Sequence, residues 1–183
     1  MSQIQINDTD TVKKVIETFE GIQDANTDSN GIPIIVVPAK ELLAVMKFLK
    51  FEQGYDCFCS LTSAEDDNYY ISIYNLYAVL DETFRRICVK VNSPKDKPIV
   101  PSVSGIWLGA NWHEREAFDL MGIVYENHPN LTRILSTDDW VGHTLRRDYK
   151  LVEPESYSNV LKAKEDPHVK AGIERIDASK NIK

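Results

Sequence analysis

The sequence predicts an α+β protein: two layers, with helices on one face of a mixed, largely antiparallel sheet, followed by an extended C-terminal arm. Three observations predict it. Two segments before Gly54 repeat apolar residues at helical spacing. Three strand-like segments then follow one another with no helix between them, and consecutive strands of that kind pair antiparallel. Residues 151–183 hold 12 charged residues among 33 and only scattered large apolar ones. They divide the chain into an α/β core over 1–105, an interface-like segment over 106–150 and an arm over 151–183.

The first helix is expected over residues 9–20. Val12, Val15, Ile16 and Phe19 form its apolar face, Asp8 or Thr9 caps it, and Gly21 stops it. Residues 24–31 are polar and read as a turn. Ile34 to Val37 is β-branched throughout and reads as a buried strand. A second helix runs over 40–53, with Leu42, Leu43, Met46 and Leu49 as its stripe and Gly54 as its end. Strands are expected over 56–63, 69–76 and 84–91, the first two joined by the hairpin turn 65–68. The middle strand is bulky on both sides and reads as central. Pro94, Pro98 and Pro101 then break the sheet.

Composition removes several function classes. The chain has 183 residues, 43% hydrophobic and 27% charged, which is enough to bury a core. Its formal net charge is −7, and Arg85-Arg86 and Arg146-Arg147 make no basic stripe, so nucleic acid is not an expected partner. The longest apolar run, residues 32–39, falls far short of the ~20 residues that span a bilayer. The N-terminus lacks the basic and apolar regions of a signal peptide. No membrane insertion is expected, and contact with a membrane would pass through another protein.

The three cysteines, Cys57, Cys59 and Cys88, form no CxxC pair and read as reduced, buried apolar residues. There is no GxGxxG, no P-loop and no GxSxG elbow. His113, His128 and His143 lie fifteen apart, unlike helical metal pairs, and His113-Glu114 has no second histidine four residues on. Three scattered thiols do not supply the four that most Fe–S clusters use. Catalytic, metal and cofactor-binding residues are therefore expected to be none.

Residues 106–150 are the unusual stretch. All three tryptophans (Trp107, Trp112, Trp140) lie there, interleaved with charges. A helix over 106–121 puts Leu108, Trp112, Arg115 and Asp119 on one stripe, with Arg115 and Asp119 as an i,i+4 pair. On a solvated helix such a pair contributes under about 1 kcal/mol. Tryptophan and arginine together are instead the composition of an interface core.

The run Glu114-Arg115-Glu116-Ala117-Phe118-Asp119-Leu120-Met121-Gly122, continuing Ile123-Val124-Tyr125-Glu126-Asn127-His128-Pro129, resembles a signature of bacterial NADH–quinone oxidoreductase. The signature is that of its thirty-kilodalton-type subunit, which is also a subunit of mitochondrial respiratory complex I. Arg133-Ile134-Leu135 and Asp139-Trp140-Val141-Gly142-His143-Thr144-Leu145-Arg146-Arg147-Asp148-Tyr149 extend the resemblance. Pro101-Ser102-Val103 and Tyr74-Asn75-Leu76 add to it. The family usually has Arg at Thr132, Lys at Arg147, and Pro at Thr144 and Lys150. Without those prolines the path after Gly142 is less fixed by the backbone.

The resemblance implies a cofactor-free subunit of the peripheral arm of a proton-translocating NADH–quinone oxidoreductase. It would pack on the hydrogenase-like large subunit that lines the quinone site, and on other peripheral-arm subunits. FMN, Fe–S clusters and quinone would sit in those partners. The chain would lie at the cytoplasmic face of the inner (plasma) membrane, held peripherally through the complex. The expected partner interface is Trp112, Arg115, Asp119, His128, Arg133, Trp140, Arg146, Arg147, Asp148 and Tyr149. Among these, Arg115 and Asp119 would join a buried ion pair, and Trp112, Trp140 and Tyr149 would be packing anchors.

Two alternatives stay open at this point. One is the equivalent subunit of a related membrane-bound hydrogenase or ferredoxin-linked quinone reductase, although the plastid and cyanobacterial branch usually has an aromatic residue at His143. The remote one is a stand-alone soluble binding domain. Ordering the 33-residue arm costs roughly 30–60 kcal/mol of backbone entropy, at about 1–2 kcal/mol per residue. So polar a segment is expected to order along a partner subunit.

Overall fold

A computed structural model of the chain describes residues 9–80 and 84–150. The expected arm over 151–183 lies outside the described residues. The described residues up to Tyr149 form one compact unit.

Helix α1 spans Thr9–Thr18 and buries Val12 and Val15. It stops earlier than the periodicity predicts, and Ile16 stays 38% exposed. Strand β1 (Gln23–Thr27) occupies much of the expected polar turn, pairing antiparallel with β2 (Pro33–Val36). The actual turn is shorter: the Asp28 carboxylate accepts the N–H groups of Asn30 and Ile32, both at 2.8 Å. An edge strand gains its pairing from backbone groups, so β1 needs no apolar pattern to form.

A 3-10 turn (Ala39–Glu41) leads into α2 (Leu42–Phe51), whose Leu42, Val45, Met46 and Leu49 are fully buried. Gly54 follows at φ +77°, a conformation that an L side chain rarely adopts. The antiparallel strands β3 (Cys57–Glu65), β4 (Tyr69–Ala78) and β5 (Arg85–Pro94) come next. The sheet order is β1-β2-β5-β4-β3, and only β2 with β5 is parallel. β4 is thus an interior strand, as its two bulky faces predict.

Period-two alternation sorts the two sides of the sheet. Leu61, Tyr74, Leu76, Ile87, Val89 and Ile35 share the inner face through direct register and belong to one core with the helices. All the described helices lie on this face, which is the predicted two-layer arrangement. The three free cysteines divide: Cys88 is buried as expected, Cys57 is half-buried and Cys59 is exposed. Cys57 pairs with Tyr77, and Cys88 pairs with Asn75, on the outer face of the sheet. Cys59 falls at an irregularity where the register steps from Phe58–Leu76 to Ser60–Asn75, and it is exposed. A bulge ends the alternation that would have kept it beside Leu61.

After β5 the prolines do not simply end the sheet. β6 (Ile99–Pro101) pairs in parallel with β7 (Val124–Glu126). The crossover between them is α3 (Ala110–Met121), which starts later than the expected residue 106. Trp107 precedes it, buried, with its indole N–H donating to the Asp56 carbonyl at 3.2 Å. Lys50 donates to the Ile106 carbonyl and lies over the Trp107 ring. Tyr125 of β7 meets Ser72 of β4 at 2.9 Å, tying the small sheet to the large one.

Candidate partner interface

Helix α3 carries two fully buried carboxyl groups, Glu114 and Asp119, whose pKa values shift in opposite directions. Glu114 faces the β6–α3 connection. One carboxyl oxygen accepts the Val103 N–H at 2.7 Å, and the other lies 2.6 Å from the Ser102 hydroxyl, which in turn meets Ser104 at 2.7 Å. Burial pushes its pKa up to about 7, with Ser102 and Val103 only partly opposing. His128 lies 3.9 Å from Glu114. Burial also lowers the His128 pKa. Its Nδ1 accepts the Asn130 N–H, so Nε2 carries the proton and donates to the Asn111 carbonyl at 3.2 Å. With the imidazole neutral, the contact is not an ion pair.

Asp119 is the reverse case. Burial alone would raise its pKa, but the N–H groups of Ser136, Leu135 and Ile134 outweigh it and hold the group at about 2. Those three donors sit 2.8, 2.8 and 3.1 Å from one oxygen, and Arg133 sits 2.9 Å from the other. Asp119 does join a buried ion pair, but with Arg133 and not with Arg115. An i,i+4 pair on the helix surface would leave the carboxylate in water. Here three backbone donors and a guanidinium compete for it and win.

Arg115 instead reaches the Thr132 carbonyl and hydroxyl at 3.0 and 2.9 Å, and the Arg133 carbonyl at 3.1 Å. Thr132 thus supplies two acceptors to the same guanidinium group. Arg133 also donates to the Gly142 carbonyl at 3.0 Å, so Arg115, Asp119 and Arg133 fasten residues 132–142 to α3.

The C-terminus of α3 is closed by the next part of the loop. A helix end leaves carbonyls without intrahelical donors. His143 Nδ1–H donates to the Asp119 carbonyl, the Leu145 N–H to that of Leu120, and Arg146 to that of Met121. The Arg146 cation also suits the negative end of the helix dipole. Gly122 makes this possible: at φ +71°, a Cβ there would collide with the Arg146 guanidinium and lie 2.5 Å from the His143 ring. Arg147 then binds the Glu65 carboxylate and carbonyl through its N–H and guanidinium at 2.7 and 2.9 Å, and Asp67 at 3.2 Å. Glu65 also accepts from Lys95, and these contacts lower its pKa.

The aromatic residues divide. Tyr149 is half-buried, with its ring 3.0 Å from where a Gly142 Cβ would stand. Trp140 is half-buried, and its indole N–H is out of water with no acceptor among the described residues. Trp112 is not an internal anchor: it is 64% exposed, with Arg115 stacked 5.1 Å above its ring. Leu108, one turn earlier, is 89% exposed. Leu135, Val141 and Leu145 are exposed on the fastened loop, and Asp148 is exposed as well. Sequence reading singles out neither Glu114 as a buried acid nor Gly122 and His143 as parts of the helix cap. Their partners lie 11 to 25 residues away, and no local pattern reports them.

Comparison with known proteins identifies the family. Residues 35–155 match the family described as "Respiratory-chain NADH dehydrogenase, 30 Kd subunit". The chain belongs to this family. Its NADH-quinone oxidoreductase relative from Moorella thermoacetica is 44% identical over 122 residues, covering 66% of this chain and 81% of the relative. The corresponding NADH-quinone oxidoreductase subunit of Geotalea uraniireducens is 40% identical over 128 residues, covering 68% and 77%. That of Geobacter metallireducens is 39% identical over 147 residues, covering 78% and 90%.

Among solved structures, the trypsin-resistant fragment of Nqo5 superposes with a TM-score of 0.57 at 25% identity, covering 67% of this chain and 97% of the fragment. A chain of the archaeal membrane-bound sulfane sulfur reductase shares the fold, with a TM-score of 0.63 at 21% identity over 86% and 91% of the two chains. The family is that of a peripheral-arm subunit in an oxidoreductase complex. Among the described residues, no cluster of three or more His, Cys, Asp or Glu side chains could hold a metal ion. No described helix is long and apolar enough to cross a membrane.

Proposed function

We propose that this chain is a non-catalytic, cofactor-free subunit that braces the peripheral arm by docking α3 and residues 127–149 on the hydrogenase-like large subunit. Other peripheral-arm subunits, carrying FMN and Fe–S clusters, complete the assembly at the cytoplasmic face of the membrane. One observation carries the reading: a loop bound to α3 by Arg115, Asp119, Arg133 and Arg146 leaves Leu108, Trp112, Leu135, Val141 and Leu145 in water. The polar contacts fix the shape before any partner arrives, and the exposed apolar groups supply the surface to bury.

Of the ten expected interface residues, most act behind this surface as braces, while Trp112 stands on it. Trp112→Ala should leave the urea stability of the isolated chain within about 0.5 kcal/mol of the parent. It should lower the amount of assembled complex in membranes far more than the turnover of each complex that does assemble. Full assembly with lost turnover would oppose the proposal.

A further inference from the structure

We infer that the outer face of the five-stranded sheet is a second docking surface, taken by a partner protein segment that presents apolar side chains flanked by carboxylates. The inference rests on the reading that this chain works inside an assembly, and it concerns the side of the molecule away from the helices.

Directly paired strand residues project to the same side, so the register defines this face. Ile71 and Ile73 of β4 lie on it, and Ile73 pairs with Lys90. Ile34 and Val36 of β2 join them through Cys88 and Lys90. These four apolar side chains are half-buried by their own neighbours, and none of the described helices packs over them. β5 runs between the two pairs, so Lys90 and Cys88 lie among these apolar groups in one mixed face.

Charge chooses the occupant. The outer positions of β2, β3, β4 and β5 carry two cations, Arg86 and Lys90, and no carboxylate, in a chain whose net charge is −7. Asp28, in the neighbouring turn, has its carboxylate engaged by two backbone N–H groups. Arg86 lies over the Tyr77 ring at 4.7 Å and the Phe84 ring at 5.4 Å. Its Nε–H is out of water and meets no acceptor among the described residues. The guanidinium rests against two rings that are themselves 5.7 Å apart, and a carboxylate from another chain would meet an N–H donor that no group among the described residues satisfies. An acidic, apolar segment therefore fits this face.

The native thiols supply the test, because half-buried Cys57 projects to this face and Cys59 stands exposed at its edge, while Cys88 is already buried within it. Alkylation by N-ethylmaleimide would be timed on the isolated full chain and on the complex extracted gently from membranes, with acetylation of Lys90 read in parallel by mass spectrometry. In the complex, Lys90 and Cys57 should react about tenfold more slowly or less, as groups that are reached only when the interface opens. Lys90→Glu should lower the share of this chain recovered in complex, and Lys90→Arg should restore it. Equal reactivity in both samples would overturn the inference. So would protection in the isolated chain, whether from its own residues or from a concentration-dependent dimer. A chain recovered alone from membranes would overturn the proposed function as well. Loss of assembly in Trp112→Ala with an unprotected sheet face would sink this inference only.

Discussion

The layer beneath the sheet and the brace behind α3 hold together by different physics. Under the sheet, Leu42, Val45, Met46 and Leu49 belong with Leu76, Ile87 and Val89 to a core built mainly of aliphatic side chains. Its stabilisation scales with buried area and has no preferred direction. Behind α3, a carboxylate, three backbone N–H groups and several guanidinium groups hold a long irregular loop in one shape. Those bonds are directional, and losing one partner leaves the others unsatisfied. The difference teaches that the chain spends its apolar residues on one stable layer and uses polar contacts to shape a surface.

The most severe way to break the brace alone is Asp119→Ala. It removes the Arg133 partner and the acceptor for Ile134, Leu135 and Ser136. We expect a loss of about 3–5 kcal/mol in urea unfolding, with early amide exchange confined to residues 132–143. Uniform exchange across the sheet would mean that the two regions are not separable. Leu49→Ala attacks the other region. A fully buried leucine should cost about 2–5 kcal/mol, nearly independent of pH and salt, and a strong salt dependence would contradict a purely apolar contact.

The smaller effect sharpens the comparison within α3 itself. Glu114 has its folded pKa raised from 4.5 to about 7. Its stabilising contribution is therefore complete below pH 4.5 and is lost as pH rises through 7. Asp119, lowered from 3.8 to about 2, contributes above 3.8 and loses that contribution as pH falls through 2. Stability of the parent should thus decline between pH 5 and pH 8 by at most about 3 kcal/mol on account of Glu114. Glu114→Gln should flatten that slope in a series of urea titrations. Parallel curves for parent and variant would show that Glu114 is ionised throughout.

Much of the site was readable as residue identity but not as geometry. The Glu114-to-Pro129 run pointed to the family, and the matches over residues 35–155 show it. The i,i+4 spacing of Arg115 and Asp119 pointed to a pair that does not form, because spacing along a helix carries no information about Ser136 or Arg133. The polar segment at 24–31 hid an edge strand for a related reason: its pairing is made by backbone groups that every residue has.

The sequence by itself determined the two helices under the sheet, the three successive strands, the layer they form and the membership in a family of respiratory-complex subunits. Each rests on a local period or an ordered run of side chains, and both survive without knowledge of the rest of the chain. The tertiary structure alone decided that Cys59 is exposed while Cys88 is buried, that the pKa of one buried acid is raised and that of the other lowered, and that His143 and Arg146 close α3. A bulge, a burial or a cap is set by what arrives from tens of residues away, and the free energy of a charge depends on those arrivals more than on its neighbours in sequence.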